Sequence, residues 1–242
     1  MPWLQDLAGA WMFYTVLPSW PGLTPRFERI ARFAPWLGAL IGAIQLLCWL
    51  MFHQLGWSAW SCSAVVVALG IWLSGGLHHD GLMDTADGLG AGEERRLAAM
   101  DDSRVGASGV LALLMVVLVE LAAMSELALH HPLALVLAPF WARVAPLWAM
   151  ARFPYLRAQG TAGFHRRHGQ PGWDAIPTLV CLPVLLALTG WEWLLVGGLA
   201  ALLPAEWCGR RLGGHTGDSY GACVVLGQAL SLVLMALVAR LS

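Results

Sequence analysis

The chain has 242 residues and a formal net charge of −1, and its composition excludes an ordinary soluble protein. Hydrophobic residues make up 58% of it and charged residues only 12%, against about 25% charged residues in a typical globular chain. No basic stripe is present that could follow a phosphate backbone, which excludes a nucleic-acid partner. The mean hydropathy of +0.65 and the 14 tryptophans, which suit the bilayer interface, predict an integral membrane protein.

The chain starts with the segment MPWLQDLAGAWMFYTVLPSWPG, which lacks the basic stretch of a secretory signal peptide and carries Asp6 before its apolar part. We expect an interfacial or half-inserted helix that stops at Pro18 and Pro21. The rest predicts an all-α, polytopic membrane protein with about seven transmembrane helices, which need roughly 20 apolar residues each. We expect a single catalytic domain over residues 1–242. The predicted spans are residues 33–52, 57–74, 110–129, 132–150, 176–190, 193–207 and 222–239.

The placement of arginine predicts the orientation in the membrane. Arginines precede the first span and follow the second, fourth and sixth spans, whereas the intervening loops carry none. Seven alternating spans put all four arginine groups on one side, and the positive-inside rule makes that side the cytoplasm. The groups are Arg26, Arg29 and Arg32; Arg95, Arg96 and Arg104; Arg152, Arg157, Arg166 and Arg167; and Arg210 and Arg211.

Acidic residues are concentrated in GGLHHDGLMDTADGLGAG, residues 75–92, which follows the second predicted span. Asp80, Asp84 and Asp87 are spaced i, i+4, i+7, so a helix would place them on one face. Three like charges repel one another, and a divalent cation would relieve that repulsion. Their oxygen atoms suit Mg²⁺ or Mn²⁺. A zinc site that uses His78 and His79, or a solvated polar loop, is the alternative, and one histidine is a candidate general base or phosphate contact.

Two further segments carry candidate phosphate-binding groups. MDDSRVGASG, residues 100–109, lies where the third span begins, and helix N-termini attract phosphate. The alternative is a helix cap made by Asp102 or Ser103. GGHTGDSYGA, residues 213–222, has glycines that permit an anion-binding nest, and its threonine and aspartate either cap the last helix or meet metal and phosphates. The candidates are Asp102, Ser103, Arg104, Gly214, Thr216 and Asp218.

Arginines complete the candidate site. Arg143 lies inside an apolar run, where a charge is costly and usually faces a functional site. The alternative is a structural ion pair with Glu120 or Glu126. Arg152 and Arg157 follow at the cytoplasmic end of the same span, and arginine suits bidentate phosphate binding. Carboxylates, arginines and glycine loops at one membrane face therefore predict phosphoryl or nucleotidyl transfer.

Six stretches occur in the order of a known family: FYTVLPSW, GGLHHDGLMDTADGL, RRLAAMDDSRVGASGVLAL, SELAL, RFPYLRAQG and GGHTGDSYGA. Through these stretches, which cover nearly the whole chain up to residue 222, the chain resembles the adenosylcobinamide-GDP ribazoletransferase family, also called cobalamin synthase. The family pattern matches at His78, Asp80, Asp84, Asp87, Asp102, Ser103, Arg104, Thr216 and Asp218, and Arg143 and Arg152 also align.

The resemblance implies the last step of nucleotide-loop assembly in cobalamin biosynthesis. α-Ribazole, or its 5′-phosphate, would be transferred onto adenosylcobinamide-GDP, which gives adenosylcobalamin, or its 5′-phosphate, and releases GMP. It also implies a Mg²⁺ requirement, a bacterial inner-membrane location and association with other cobalamin-assembly enzymes. We expect Asp80, Asp84 and Asp87 to hold Mg²⁺ against the diphosphate. The proton acceptor stays open between His78 and a metal-bound carboxylate.

The sequence departs from the family pattern at Val16, where many members have arginine, at His79, where leucine is common, and at His215, which replaces a frequent glutamine. Two other classes remain as alternatives. A CDP-alcohol phosphotransferase needs Ala-Arg in the motif that begins at Asp80 and Gly81, and this chain lacks it. A transporter would have polar residues near the midplane and repeated broken helices, whereas the acids cluster at one face.

Overall fold

The computed structural model describes residues 1–157 and 163–241. Within these ranges the regular structure is helical, apart from one bridge between Tyr155 and His215, which confirms the all-α class. The helices in chain order are α1 (Pro2–Tyr14), α2 (Ala34–Gln54), α3 (Ala59–Leu73), α4 (Leu77–Gly90), α5 (Arg96–Met100), α6 (Ala107–Leu127), α7 (Ala134–Ala142), α8 (Ala145–Arg152), α9 (Gly163–His168), α10 (Pro171–Asp174), α11 (Ile176–Thr189), α12 (Trp191–Leu212) and α13 (Gly217–Ala239).

The predicted number of seven spans is not confirmed. Among the described residues five helical segments are long and apolar enough to cross a membrane, or six if α3 and α4, which are bent by 88°, form one broken span. The predicted span at residues 193–207 lies within α12, which is not one of these segments and carries Glu192 and Glu206. The predicted orientation in the membrane depends on seven alternating spans, so it stays a prediction. The five segments are Ile30–Gln54, Ala107–Leu127, Ala134–Arg152, Pro171–Thr189 and Gly217–Ala239.

The core joins α2, α6, α7 and α13 around fully buried side chains such as Trp49, Met124 and Leu232. Helices α2 and α7 touch through their backbones, because a β-carbon at Gly38 would lie 2.2 Å from the carbonyl oxygen of Pro139. The outer face of α6 exposes large apolar side chains, among them Leu111, Leu114, Met115 and Leu118. A helix face covered with exposed apolar side chains is unfavourable in water and favourable in lipid, so this exterior agrees with a multi-pass membrane protein.

The N-terminal segment is held by buried ion pairs. Helix α1 ends at Tyr14, ahead of Pro18. The Asp6 carboxylate is fully buried and lies 2.7 Å from nitrogen atoms of both Arg26 and Arg32. Two of the arginines that precede the first span therefore bind the N-terminal helix to the bundle.

A sharp break separates α3 from α4 and sets the direction of the acidic segment. Gly75 and Gly76 have φ angles of +62° and +70°, which residues with a β-carbon rarely adopt. Beyond the break, α4 packs across the start of α13. A β-carbon at Gly81 would lie 2.5 Å from the backbone oxygen of Asp218, so the two backbones are in direct contact.

Candidate active site

The acids of residues 75–92 lie on a helix, as their spacing predicts, because α4 covers Leu77–Gly90. Asp80 is exposed and Asp84 is partly buried. Asp218, at the start of α13, lies close enough to both for their negative charges to interact. The cluster therefore contains Asp80 and Asp84 from α4 and Asp218 from a helix far away in sequence.

Asp87 has different neighbours, at the start of α6. Its two carboxylate oxygens accept hydrogen bonds from the backbone N–H groups of Gly106, at 2.7 Å, and Gly109, at 2.8 Å. The alternative for residues 100–109, a helix cap made by Asp102 or Ser103, is wrong, because Gly106 is the N-cap residue and offers no side chain. Asp87 can approach because a β-carbon at either glycine would lie within 2.6 Å of its oxygens.

We expect Asp87→Asn to lower the free energy of unfolding by about 1–2 kcal/mol, because an amide offers one acceptor oxygen to two backbone donors and carries no charge at the helix N-terminus. Thermal unfolding in detergent measures the change. The control is Asp102→Asn, which alters an ion pair with the exposed Arg104, and exposed ion pairs contribute little to stability. Equal losses in the two variants would contradict the capping role of Asp87.

Arg157 is the cation at the centre of the acids. Its guanidinium lies 2.8 Å from a carboxylate oxygen of Asp101 and 2.7 Å from one of Asp218, and its side chain is 16% exposed. The Asp101 contact was not expected from the sequence, which pointed to its neighbour Asp102. Arg157 thus joins the segment before α6 to the start of α13.

A short backbone ladder sets the position of Arg157. The N–H of His215 donates to the oxygen of Pro154, and the N–H of Leu156 donates to the oxygen of His215, each at 2.8 Å. Gly214 lies beside this ladder, where a β-carbon would be 2.5 Å from the Pro154 oxygen. Residues 158–160, the end of RFPYLRAQG, lie outside the described residues.

The segment GGHTGDSYGA contains a helix cap, as expected. Thr216 is the N-cap of α13 and forms a capping box with Ser219, and its hydroxyl also donates to Asp218 at 3.4 Å. His215 is buried, its Nε2–H donates to the oxygen of Ala205 at 3.1 Å, and its Nδ1 faces the Ser219 hydroxyl at 2.9 Å. Burial lowers the pKa of His215 to about 4, so its imidazole is neutral and supports this turn.

Arg104 and Arg152 lie on the surface. Arg104 forms a bidentate pair with Asp102, and this guanidinium lowers the pKa of Asp102 to about 2. Ser103 is exposed in the same turn. Arg152 lies 3.7 Å from Glu206. Both arginines are accessible to a solute.

His78 and Arg143 lie inside the bundle, with 6% and 3% of their surfaces exposed. The ring of His78 stacks on Tyr14, with ring centroids 6.1 Å apart, and Arg143 donates to the oxygen of Pro139 at 3.0 Å. Both line a small cavity together with Glu120. Glu120 is therefore the acid near Arg143, whereas Glu126 pairs with Arg240. The structure places Arg143 among buried polar groups rather than among the exposed acids.

The donor set of the acidic cluster fits magnesium. In the described part of the chain no three His, Cys, Asp or Glu side chains are arranged to hold a metal ion by themselves. Mg²⁺ does not require such a cage, because it binds one or two carboxylates and takes its other oxygens from water and substrate phosphates. Asp80, Asp84 and Asp218 outnumber the single guanidinium of Arg157 that lies among them, which leaves negative charge for a cation.

The fold and the site together define a helical, multi-pass membrane protein with an acidic, arginine-containing site where the ends of several helices meet. The chain belongs to the cobalamin-5-phosphate synthase family, whose model matches residues 6–236. Similar curated proteins are named adenosylcobinamide-GDP ribazoletransferase. One from Prochlorococcus marinus (strain MIT 9313) is 57% identical, over 97% of this chain and 96% of the relative. One from Thermosynechococcus vestitus is 42% identical, over 95% of each chain. No solved structure matches the chain.

Proposed function

We propose that this chain transfers α-ribazole, or its 5′-phosphate, onto adenosylcobinamide-GDP, and that it forms adenosylcobalamin, or its 5′-phosphate, and GMP. The observation that carries the proposal is the convergence of Asp80, Asp84 and Asp218 with Arg157. Membership in the cobalamin-5-phosphate synthase family and the names of the relatives support it. A hydroxyl oxygen of the acceptor forms a bond to the cobinamide-side phosphorus, and the bond from that phosphorus to GMP breaks. GMP leaves with the electron pair.

The residues of the site have separate roles in this reaction. The exposed carboxylate of Asp80 accepts the hydroxyl proton rather than His78, which is buried against Tyr14. Arg157 holds Asp101 and Asp218 in place, and the accessible Arg104 and Arg152 bind phosphate oxygens. Asp87 fixes the start of α6 instead of binding metal.

Asp80 and Asp84, next to Asp218, would hold Mg²⁺, which would supply positive charge to neutralise the diphosphate. We further propose that the protein lies in the bacterial inner membrane with this site on the cytoplasmic face. The arginines around the site support that orientation, because Arg95, Arg96, Arg104 and Arg157 all lie near it in sequence or in space.

The test uses the detergent-purified full chain with adenosylcobinamide-GDP, α-ribazole and Mg²⁺. We expect GMP and the corrinoid product to form in equal amounts, only with the acceptor present, and chelation of divalent cations to stop the reaction until Mg²⁺ is restored. Chromatography with mass detection measures both products. GMP release without acceptor would indicate a hydrolase, and corrinoid flux across vesicles without GMP release would indicate a transporter.

A further inference from the structure

An open groove lies beside the acidic cluster, between α1 and α6. It has a volume of about 700 Å³, which is within the range of small-molecule sites, about 300–1,000 Å³. Its floor is the break between α3 and α4. We call it the α1–α6 groove, and the lining residues used below are Val16, Gly76, His79, Asp80, Leu113 and Val117.

The walls of the α1–α6 groove are apolar. Val16, which is 44% exposed, forms one side. Leu113 and Val117 form the other, on successive turns of α6, which begins at Ala107. At a rise of 1.5 Å per residue, they lie about 9 and 15 Å along the helix from its start. The groove therefore extends from the polar end of α6 toward its apolar middle.

Thr15 and Ser74 also line the groove, but their hydroxyls donate to the backbone oxygens of Trp11 and Ile71, so the polar groups left to a ligand lie around Asp80. Asp80 lines it, so the groove is continuous with the acidic cluster. His79 also lines it, and neither of its ring nitrogens has a hydrogen-bond partner in the described residues. Both His79 nitrogens are buried, so a ligand in the groove would have apolar contacts along its length and the exposed carboxylate of Asp80 at the end nearest the acids.

The apolar walls and the acidic end of the groove favour the acceptor nucleoside over adenosylcobinamide-GDP as the ligand. A diphosphate carries charges that an apolar groove would have to desolvate at high cost, and a guanine base carries amide and amine groups that would lose their hydrogen bonds between apolar walls, so neither part of the nucleotide end of adenosylcobinamide-GDP fits there. A neutral nucleoside with an aromatic base fits both parts of the groove, with the base between the apolar walls and the sugar toward the carboxylate. We propose that the α1–α6 groove binds the aromatic base of the acceptor nucleoside and presents its sugar hydroxyl to Asp80. This inference rests on the proposed function.

The test fills the groove with a large side chain. In Leu113→Trp, an indole occupies the space of the base, and in Leu114→Trp the same substitution is made at the neighbouring position, which is 53% exposed and lies outside the groove lining. We expect Leu113→Trp to weaken equilibrium binding of α-ribazole about tenfold or more and to raise its KM similarly. The KM for adenosylcobinamide-GDP stays unchanged. Leu114→Trp behaves like the wild-type protein in both measurements.

A second variant, Val16→Trp, lies on the opposite wall and therefore cannot disturb the packing of α6. We expect the same selective loss of α-ribazole binding. Unchanged α-ribazole binding in both groove variants would overturn the inference, as would a rise in the KM for adenosylcobinamide-GDP alone. The proposed function fails separately, if the wild-type protein forms no corrinoid product from the two substrates. If the wild-type protein forms the product and the groove variants have no effect, the proposed function is supported and the role of the α1–α6 groove is rejected.

Discussion

Asp84→Asn is expected to lower turnover by about 10²- to 10³-fold, with the protein still folded. Asp84 lies on α4, close enough to Asp80 and Asp218 for the three negative charges to interact. Asparagine has nearly the same shape and removes the charge that we propose holds a cation and that attracts Arg157. The measurement is GMP release at saturating substrates and excess Mg²⁺, with thermal unfolding of the same preparation.

The matched control is Glu94→Gln, which removes one negative charge from the exposed turn after α4. We expect this variant to keep wild-type turnover, because its side chain does not belong to the cluster. Near-normal turnover of Asp84→Asn in excess Mg²⁺ would reject the metal-binding role. A large fall in thermal stability would show that Asp84 acts through folding instead.

Gly81→Ala tests the contact between α4 and α13. The added β-carbon would lie 2.5 Å from the backbone oxygen of Asp218 and 3.0 Å from its Cα, and backbone atoms cannot turn aside as a flexible side chain does. The two helices must separate, which we expect to cost about 1–3 kcal/mol of unfolding free energy. The displacement moves Asp218 away from Asp80 and Asp84, and a shift of about 1 Å at a reacting site lowers the rate on the order of 10²-fold.

Gly198→Ala is the control for this substitution. Gly198 lies within α12, and a β-carbon there would have no described neighbour within 4 Å. We expect stability equal to that of the wild-type protein or slightly higher, because alanine favours a helix more than glycine does, and unchanged turnover. Thermal unfolding and GMP release measure both variants. If Gly81→Ala behaved like Gly198→Ala, close packing of α4 on α13 would not be needed for the site.

Local features of the sequence predict local features of the structure. The apolar composition predicts an all-helical membrane protein, because a chain in lipid satisfies its backbone hydrogen bonds within helices. The spacing of Asp80 and Asp84 predicts their shared helical face, and Thr216 is recognisable as a helix cap. These predictions depend on residues a few positions apart, whose geometry the helix itself determines.

The hydropathy of the sequence does not determine the number of spans. Taken alone, α3 is too short to cross a membrane, and α12 is long enough but not apolar enough. The sequence alone does not show whether α4, after the bend at Gly75 and Gly76, continues a span or lies across the bundle. Only the packing of α4 against α6 and α13 decides that.

The sequence by itself determined the class of protein, the acidic helix and the family resemblance. Only the tertiary structure decided which side chains act together. It assigned Asp87 to the backbone of Gly106 and Gly109, brought Asp101 and Asp218 to Arg157, and buried Arg143. The physical reason is that these contacts join segments far apart in the chain. Their partners are selected by close approaches between helix backbones, and no local periodicity encodes those approaches.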